Sequence, residues 1–367
     1  MMTMLSWLRR LHRWIGLAAI LPMLLLGVTG AVLTLEPVWP HGPEASLGQP
    51  HLDAEIVAAA TAMAPRGTLP LRYAPPAHPG DAAVVAFAGR NAPAIRIDPV
   101  TLARIGGDAP QGGILRAVRT LHVNLMLPEY NGRGIVGWCG VALVFLTLAG
   151  IPLWWPQSRQ WRSAFTFSAS AKGVRFHRRL HGAVGIWIAL VLVVNAMTGV
   201  MLGFPQTLRG WMGLATGSPA RQVAAGPGPA LAHHDLDAAM ALAAAALPGA
   251  RPRFVILPIT AGDPFRVVLA PPGAGAAGTA IATIDGAGTR LLSLQGPAGY
   301  SRAEQAWRWA RDLHAGAGAG PIWRGLTVLA GVALPVFSVT GLAMWLLRQR
   351  NRRRLDLARQ AATQPGD

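Results

Sequence analysis

Four apolar runs dominate the chain, at about 14–35, 134–155, 183–204 and 322–347, and within them charged side chains are all but absent. Roughly 20 residues at about 1.5 Å rise span a hydrocarbon core of about 30 Å, so each run predicts a membrane-crossing helix. Pro22 and Pro335 fall inside the first and fourth runs, where a membrane helix tolerates proline and kinks at it. Trp138, Trp154, Trp155, Trp323 and Trp345 gather at the run ends, the depth at which interfacial aromatics anchor helices. The first run has a basic lead like a signal peptide, but its apolar stretch is too long and no small-residue cleavage site follows it; it is expected to stay as a helix.

The polar positions repeat. Leu11-His12, Gly16 and Thr29-Gly30 match Leu180-His181, Gly185 and Thr198-Gly199 at one constant offset. Leu121-His122 matches Leu313-His314, and Gly150 and Trp154 match Gly341 and Trp345 at an offset one residue shorter. Each half therefore reads helix, outer region, helix, a duplication that organises the whole fold. Ala149 stands where Thr340 would predict a threonine.

The two connections between paired spans are long enough to fold. In the first, 51–64 reads as a helix, Leu71–Tyr73, Ala83–Phe87 and Ala94–Ile97 as strands, and Asp98-Pro99 as a turn. In the second, Asp235–Leu247 reads as an Ala-rich helix, Arg253–Leu257, Phe265–Leu269 and Ala280–Ile284 as strands, and Asp285-Gly286 as a turn. Gly- and Pro-rich stretches at 217–230 and 271–279 read as flexible joins, and beyond Arg350 a basic tail is expected to fray or lie on lipid head groups.

Charge sets the orientation. Lys and Arg number 33 against 16 Asp and Glu, in a chain only 13% charged. Arg9, Arg10 and Arg13 precede the first run; Arg159, Arg162, Lys172, Arg175, Arg178 and Arg179 lie between the second and third; Arg348, Arg350, Arg352, Arg353, Arg354 and Arg359 follow the fourth. Asp356 and Asp367 are the acids in those segments. This is the positive-inside pattern, which puts both termini and the middle loop in the cytoplasm and explains the basic excess without nucleic acid. The single Cys139 excludes an intrachain disulfide and a thiolate metal site.

Five histidines lie at the mouths of the spans: His12, His122, His177, His181 and His314. Neutral imidazole is a haem and metal ligand, and a helix bundle can present two imidazoles to opposite faces of one porphyrin. The repeat pairs the positions of His12 and His181, and of His122 and His314; His177, one turn before His181, is the alternative ligand or a hydrogen-bonding neighbour. Gly16, Gly182, Gly185 and Gly316 would leave room for a flat macrocycle, and the arginines beside His12 and His181 could meet its propionates. Thr29, Thr198 and Thr340 read as packing residues with back-bonded hydroxyls, and Asn195 as a polar residue that bonds across the bundle. His41, His51, His78, His233 and His234 read as solvated. Two haems stacked across the membrane would make the chain an electron conduit; with no P-loop and no Gly-x-Gly-x-x-Gly after a strand, any electron donor is expected to be a separate molecule, such as a quinol or a cytoplasmic reductase.

Taken in order, Leu11-His12-Arg13-Trp14-Ile15-Gly16, Leu121-His122 with Leu153-Trp154-Trp155-Pro156, Phe176-His177-Arg178-Arg179-Leu180-His181, and Leu313-His314 with Thr340-Gly341 and Trp345 resemble the PepSY-associated transmembrane helix family of bacterial inner-membrane proteins. The resemblance covers about residues 5–350. It implies an all-α membrane core, a four-transmembrane-helix bundle built from two helix–domain–helix repeats, with two small α+β PepSY-like periplasmic domains. The boundaries are helix 1 at 1–35, outer domain 1 at 36–120, helix 2 with its lead at 121–156, a cytoplasmic loop at 157–176, helix 3 at 177–204, outer domain 2 at 205–312, helix 4 at 313–348 and a tail at 349–367. Family members include reductases of ferric siderophores, which implies two b-type haems here, ligated by His12 with His181 or His177 and by His122 with His314, and a periplasmic ferric chelate as substrate. A non-redox scaffold that binds periplasmic peptides or a protease is the alternative. A permease fits poorly, because the polar groups cluster at span ends rather than at the midplane.

Overall fold

The computed structural model describes residues 4–36, 45–89, 94–106, 113–156, 161–166, 171–213, 235–260, 262–272 and 274–363. The chain divides into two compact units, Met1–Val38 with Ala117–Leu208 and Leu313–Asp367, and Trp39–Arg116 with Arg209–Asp312.

The first unit is helical. Among the described residues three helices are long and apolar enough to cross a membrane: α5 (Gly132–Trp154), α7 (Gly173–Gly203) and α11 (Gly320–Thr363). The first apolar run is not one straight span. It is α1 (Met4–Ala18) and α2 (Ile20–Leu35), bent by 65° at Ala19. Pro22 supplies the cause: it has no N–H for the Ala18 carbonyl, and its ring crowds that carbonyl. Pro152 and Pro335, by contrast, sit inside the continuous helices α5 and α11. With the bent pair taken as one broken span, the described residues hold four candidate membrane spans. The described part of the tail is helical rather than frayed, since α11 runs on to Thr363.

Small residues let these helices touch. α2 packs on α11, α5 on α7, α7 on α11, and α1 on α5 and α11. Met23, Ile188, Val191, Leu192, Ala330 and Leu334 form the buried cluster among them. Gly203 sits on Gly137, where an added Cβ would meet the Gly137 Cα at 2.5 Å. Such close approach is how membrane helices gain van der Waals contact without a hydrophobic drive between them.

The second unit is a sheet covered by two helices. Its strands are β1 (Pro70–Ala74), β2 (Ala83–Phe87), β3 (Ala94–Ile97), β4 (Arg251–Ile256), β5 (Phe265–Ala270), β6 (Ala280–Ile284) and β7 (Leu291–Gln295), all antiparallel in the order β3-β2-β1-β4-β5-β6-β7. Six strands lie where period-two alternation places them; β7 shows no alternation of burial, because all five of its residues are exposed. The two outer regions, expected as two small domains, are thus joined in one sheet. The joint is the β1–β4 pairing, Tyr73 opposite Val255 and Arg72 opposite Ile256.

One face of that sheet is the core. Helices α3 (Asp53–Ala62) and α9 (Asp235–Ala246) bury Ile56, Val57 and Leu236 against Tyr73, Val85, Ile97, Val255, Val267 and Ile284. Tyr73, fully buried, donates to Asp53 Oδ1 at 2.5 Å, so its hydroxyl is satisfied. Burial pushes the Asp53 carboxyl up, the Tyr73 hydroxyl opposes this, and the neighbouring Asp237 charge adds to the rise. Asp98 and Asp285 cap the two turns predicted from sequence, each accepting backbone amides two to five residues ahead.

Candidate functional site

The polar interior of the helical unit is made by four histidines, each carried by a different helix. His12 is on α1 and His181 on α7, with ring centres 6.4 Å apart and planes at 74°. His122 closes α4 (Gly113–Asn124) and His314 closes α10 (Arg302–His314); their ring centres are 6.2 Å apart, with planes at 45°. His177 is not in this contact, and its ring stands against Phe176 at 5.3 Å with Nδ1 buried and unbonded.

Local turns deliver the two leads. After α4 the chain reverses through Leu125, Met126 and Asn131, all at positive φ (53°, 59° and 54°), a conformation costly for side-chain-bearing residues. The equivalent turn after α10 uses Gly316, Gly318 and Gly320 at φ 71°, 78° and 78°. Trp323 Nε1 donates to the Leu313 carbonyl at 2.8 Å and ties the end of α10 to the start of α11. Arg119 pairs with Glu36 at 2.5 Å and ties α4 to the end of α2.

The threonines do more than pack. Each hydroxyl is back-bonded, as expected, but each also meets an imidazole: Thr29 with His122 Nδ1 at 2.9 Å, Thr198 with His314 Nδ1 at 3.2 Å and Thr340 with His181 Nδ1 at 2.8 Å. The signal was available, since Thr-Gly recurs in step with Leu-His. Asn195 does not bond across the bundle through its side chain, which returns to the Val191 carbonyl at 3.1 Å; its backbone carbonyl lies 3.0 Å from His314 Nδ1.

Of the four glycines expected to leave room, Gly16 and Gly185 have the least crowded Cβ positions. A Cβ at Gly16 or Gly185 would meet only Leu146 at 3.8 Å or Phe337 at 3.9 Å. Gly182 instead accommodates Trp154, 3.0 Å from such a Cβ, and Gly316 accommodates Thr34 at 2.6 Å. The glycines that admit the imidazoles are Gly30 and Gly199, where a Cβ would lie 3.0 Å from His122 Cε1 and 3.1 Å from His314 Cε1. Arg13, one of the arginines beside His12, lies over the Trp14 ring at 5.3 Å.

The remaining histidines divide simply. His51 and His78 are exposed and pair with Glu55 and Asp81. His41, His233 and His234, and the join at 217–230, lie outside the described residues. Among the described residues no group of three or more His, Cys, Asp or Glu could hold a metal ion.

Apolar spans enclosing two histidine pairs define a multi-pass membrane protein with a polar interior. The chain matches the PepSY-associated TM region over residues 9–348, and it belongs to that family. No curated protein matches it.

Proposed function

We propose that this protein is a di-haem transmembrane electron carrier that reduces ferric siderophores or other ferric chelates outside the bacterial inner membrane. The observation that carries the reading is the spacing of the two histidine pairs. Two imidazoles on one metal, each through a bond of about 2 Å, hold their ring centres about 6 Å apart. The pairs stand at 6.4 and 6.2 Å. A bare ion would find only these two ligands, whereas a porphyrin brings four of its own, so the donor set fits haem. No Cys-x-x-Cys-His is present, so the haems are b-type, held without covalent attachment.

His12 and His181 hold the inner haem, and His122 and His314 the outer one. Bound haem would supply one-electron redox chemistry, and the chain would supply two imidazoles to each haem together with burial and hydrogen bonds that tune it. A quinol or cytoplasmic reductase donates the electron. Fe(III) in the chelate accepts it, and Fe(II) leaves because hard oxygen ligands hold it less well. Both termini lie in the cytoplasm, as the positive-inside bias requires, and the sheet unit is periplasmic and of PepSY type.

The test is haem stoichiometry by pyridine haemochrome, with histidine variants. Wild type should carry two haems per chain. His314→Ala and His122→Ala should each carry one and lose chelate reduction, while the remaining haem still accepts electrons. His181→Ala should lose the inner haem and His177→Ala should keep it. A wild-type protein with one haem or none, or a His314→Ala variant that keeps both, rejects the assignment.

A further inference from the structure

Three of the four facing histidines rest on a threonine whose own proton is already committed. Thr29 donates to the Leu25 carbonyl at 2.7 Å, Thr198 to Val194 at 2.8 Å and Thr340 to Val336 at 2.6 Å. A hydroxyl has one proton. Once that proton is spent on the helix, the oxygen can only accept from the imidazole. The nitrogen that faces it, Nδ1, must then carry the hydrogen in His122, His314 and His181. His314 Nδ1 also faces the Asn195 carbonyl, which accepts and cannot donate, so two oxygens demand the same tautomer. A neutral imidazole protonated at Nδ1 keeps its lone pair on Nε2.

The following glycine completes the seat for two of these rings. A Cβ at Gly30 or Gly199 would press on the ring edge beside Nδ1, at 3.0 and 3.1 Å from Cε1. Thr-Gly therefore acts as a unit, the hydroxyl orienting the ring and the missing side chain admitting it.

The fourth seat lacks the hydroxyl. Ala149-Gly150 of α5 faces His12, with a Cβ at Gly150 3.7 Å from His12 Cε1. His12 Nδ1 is buried and makes no hydrogen bond among the described residues.

We propose that Thr29, Thr198 and Thr340 are positioning residues that fix His122, His314 and His181 as Nδ1–H tautomers and so present Nε2 to the metal, and that Ala149 leaves His12 the one unlatched ligand. The metal-facing half of this statement rests on the di-haem reading; the tautomer half does not. A ligand imidazole that donates from Nδ1 is the stronger electron donor to iron and favours the ferric state. His12 lacks that hydrogen bond, so the inner site has one polarised ligand and the outer site two.

The test uses the full-length protein in detergent, with ¹⁵N-labelled histidine, prepared both without haem and haem-loaded. In the haem-free protein, ¹⁵N spectra should show His122, His181 and His314 protonated at Nδ1. Thr29→Val, Thr198→Val and Thr340→Val, which keep the side-chain shape, should each abolish that bias for its own histidine only, and the Thr→Ser versions should restore it. In the loaded protein each Val variant should raise the midpoint potential of its own haem, Ser should return it, and Ala149→Thr should lower the inner haem's potential. Ala149→Thr removes nothing from the core and each Ser variant removes one methyl group, so they remain informative if a Val variant misfolds. Nε2–H tautomers in the wild type, or Ser and Val variants that behave alike, overturn the proposal. Correct tautomers in a chain that binds no haem would leave the threonine assignment standing and reject the di-haem reading alone.

Discussion

Gly27 of α2 and Gly331 of α11 meet backbone to backbone: a Cβ on Gly27 would lie 2.6 Å from the Gly331 carbonyl oxygen, and one on Gly331 2.8 Å from that of Gly27. The contact holds α2 against α11 two residues before the threonine that meets His122. Neither neighbour is the far end of a flexible side chain, so a methyl group must push the helices apart. Gly27→Ala and Gly331→Ala are each expected to destabilise the protein by about 1–3 kcal/mol, the usual range for overpacking. Denaturation in detergent measures this. Wild-type stability in both variants would show that the helices do not pack so closely.

The bend at Ala19 is a consequence of Pro22 in this structure, and Pro22→Ala tests it. With the N–H restored, α1 and α2 should straighten. In a Cys139→Ser background, spin labels at positions 5 and 35 should move apart by double electron–electron resonance. An unchanged separation would assign the bend to packing against α5 and α11 rather than to proline.

Asp98 gives the sheet unit a pH-dependent stability. Burial by itself would raise its carboxyl, but hydrogen bonds from the Ser46 hydroxyl and amide and from the Val100 and Thr101 amides outweigh that and hold it well below the usual range. A group depressed in the folded state contributes stability above its ordinary value of 3.8 and loses it as pH falls towards the folded value. Unfolding should therefore become easier on acidification below about pH 4, and Asp98→Asn should lower stability at neutral pH and flatten this part of the profile. Parallel acid profiles for wild type and variant would remove Asp98 from the account.

Orientation is open to a direct check. Reporter fusions after Gly106 and Gly296 should behave as periplasmic, and one after Arg359 as cytoplasmic, because fifteen basic residues against two acids occupy the three segments expected inside. Cytoplasmic behaviour after Gly106 or Gly296 would invert or break the topology.

Much of the outer unit was legible because a half-buried strand alternates with period two. Ala83–Phe87, Ala94–Ile97 and Ala280–Ile284 were readable to the residue. β7 was not, since Leu291, Leu292 and Leu294 are all exposed on an edge strand and leave no alternation to read. Nor was the union of the two halves. Pairing Tyr73 with Val255 is made by backbone groups, and these look alike at every residue.

The histidines divide the same way. Their number, their duplication and their place at the span ends are sequence facts, because membrane burial makes polar residues rare enough to stand out. The repeat favours His181 over His177 as the partner of His12, but the two lie one helical turn apart, so spacing does not exclude His177. Only the packing of α1 against α5 and α11 brings the His181 ring to His12. The threonines mark the boundary most sharply. Thr-Gly can be read as a repeat, but a hydroxyl that packs and a hydroxyl that holds an imidazole are the same letter. The distinction arises only where α2 meets α4 at Thr29, α7 meets α10 at Thr198 and α11 meets α7 at Thr340, because a hydrogen bond depends on distance and direction between segments far apart in the chain. Local periodicity and charge therefore determined the spans, the strands and the candidate ligands, while the three-dimensional packing decided the pairs and the hydrogen bonds around them.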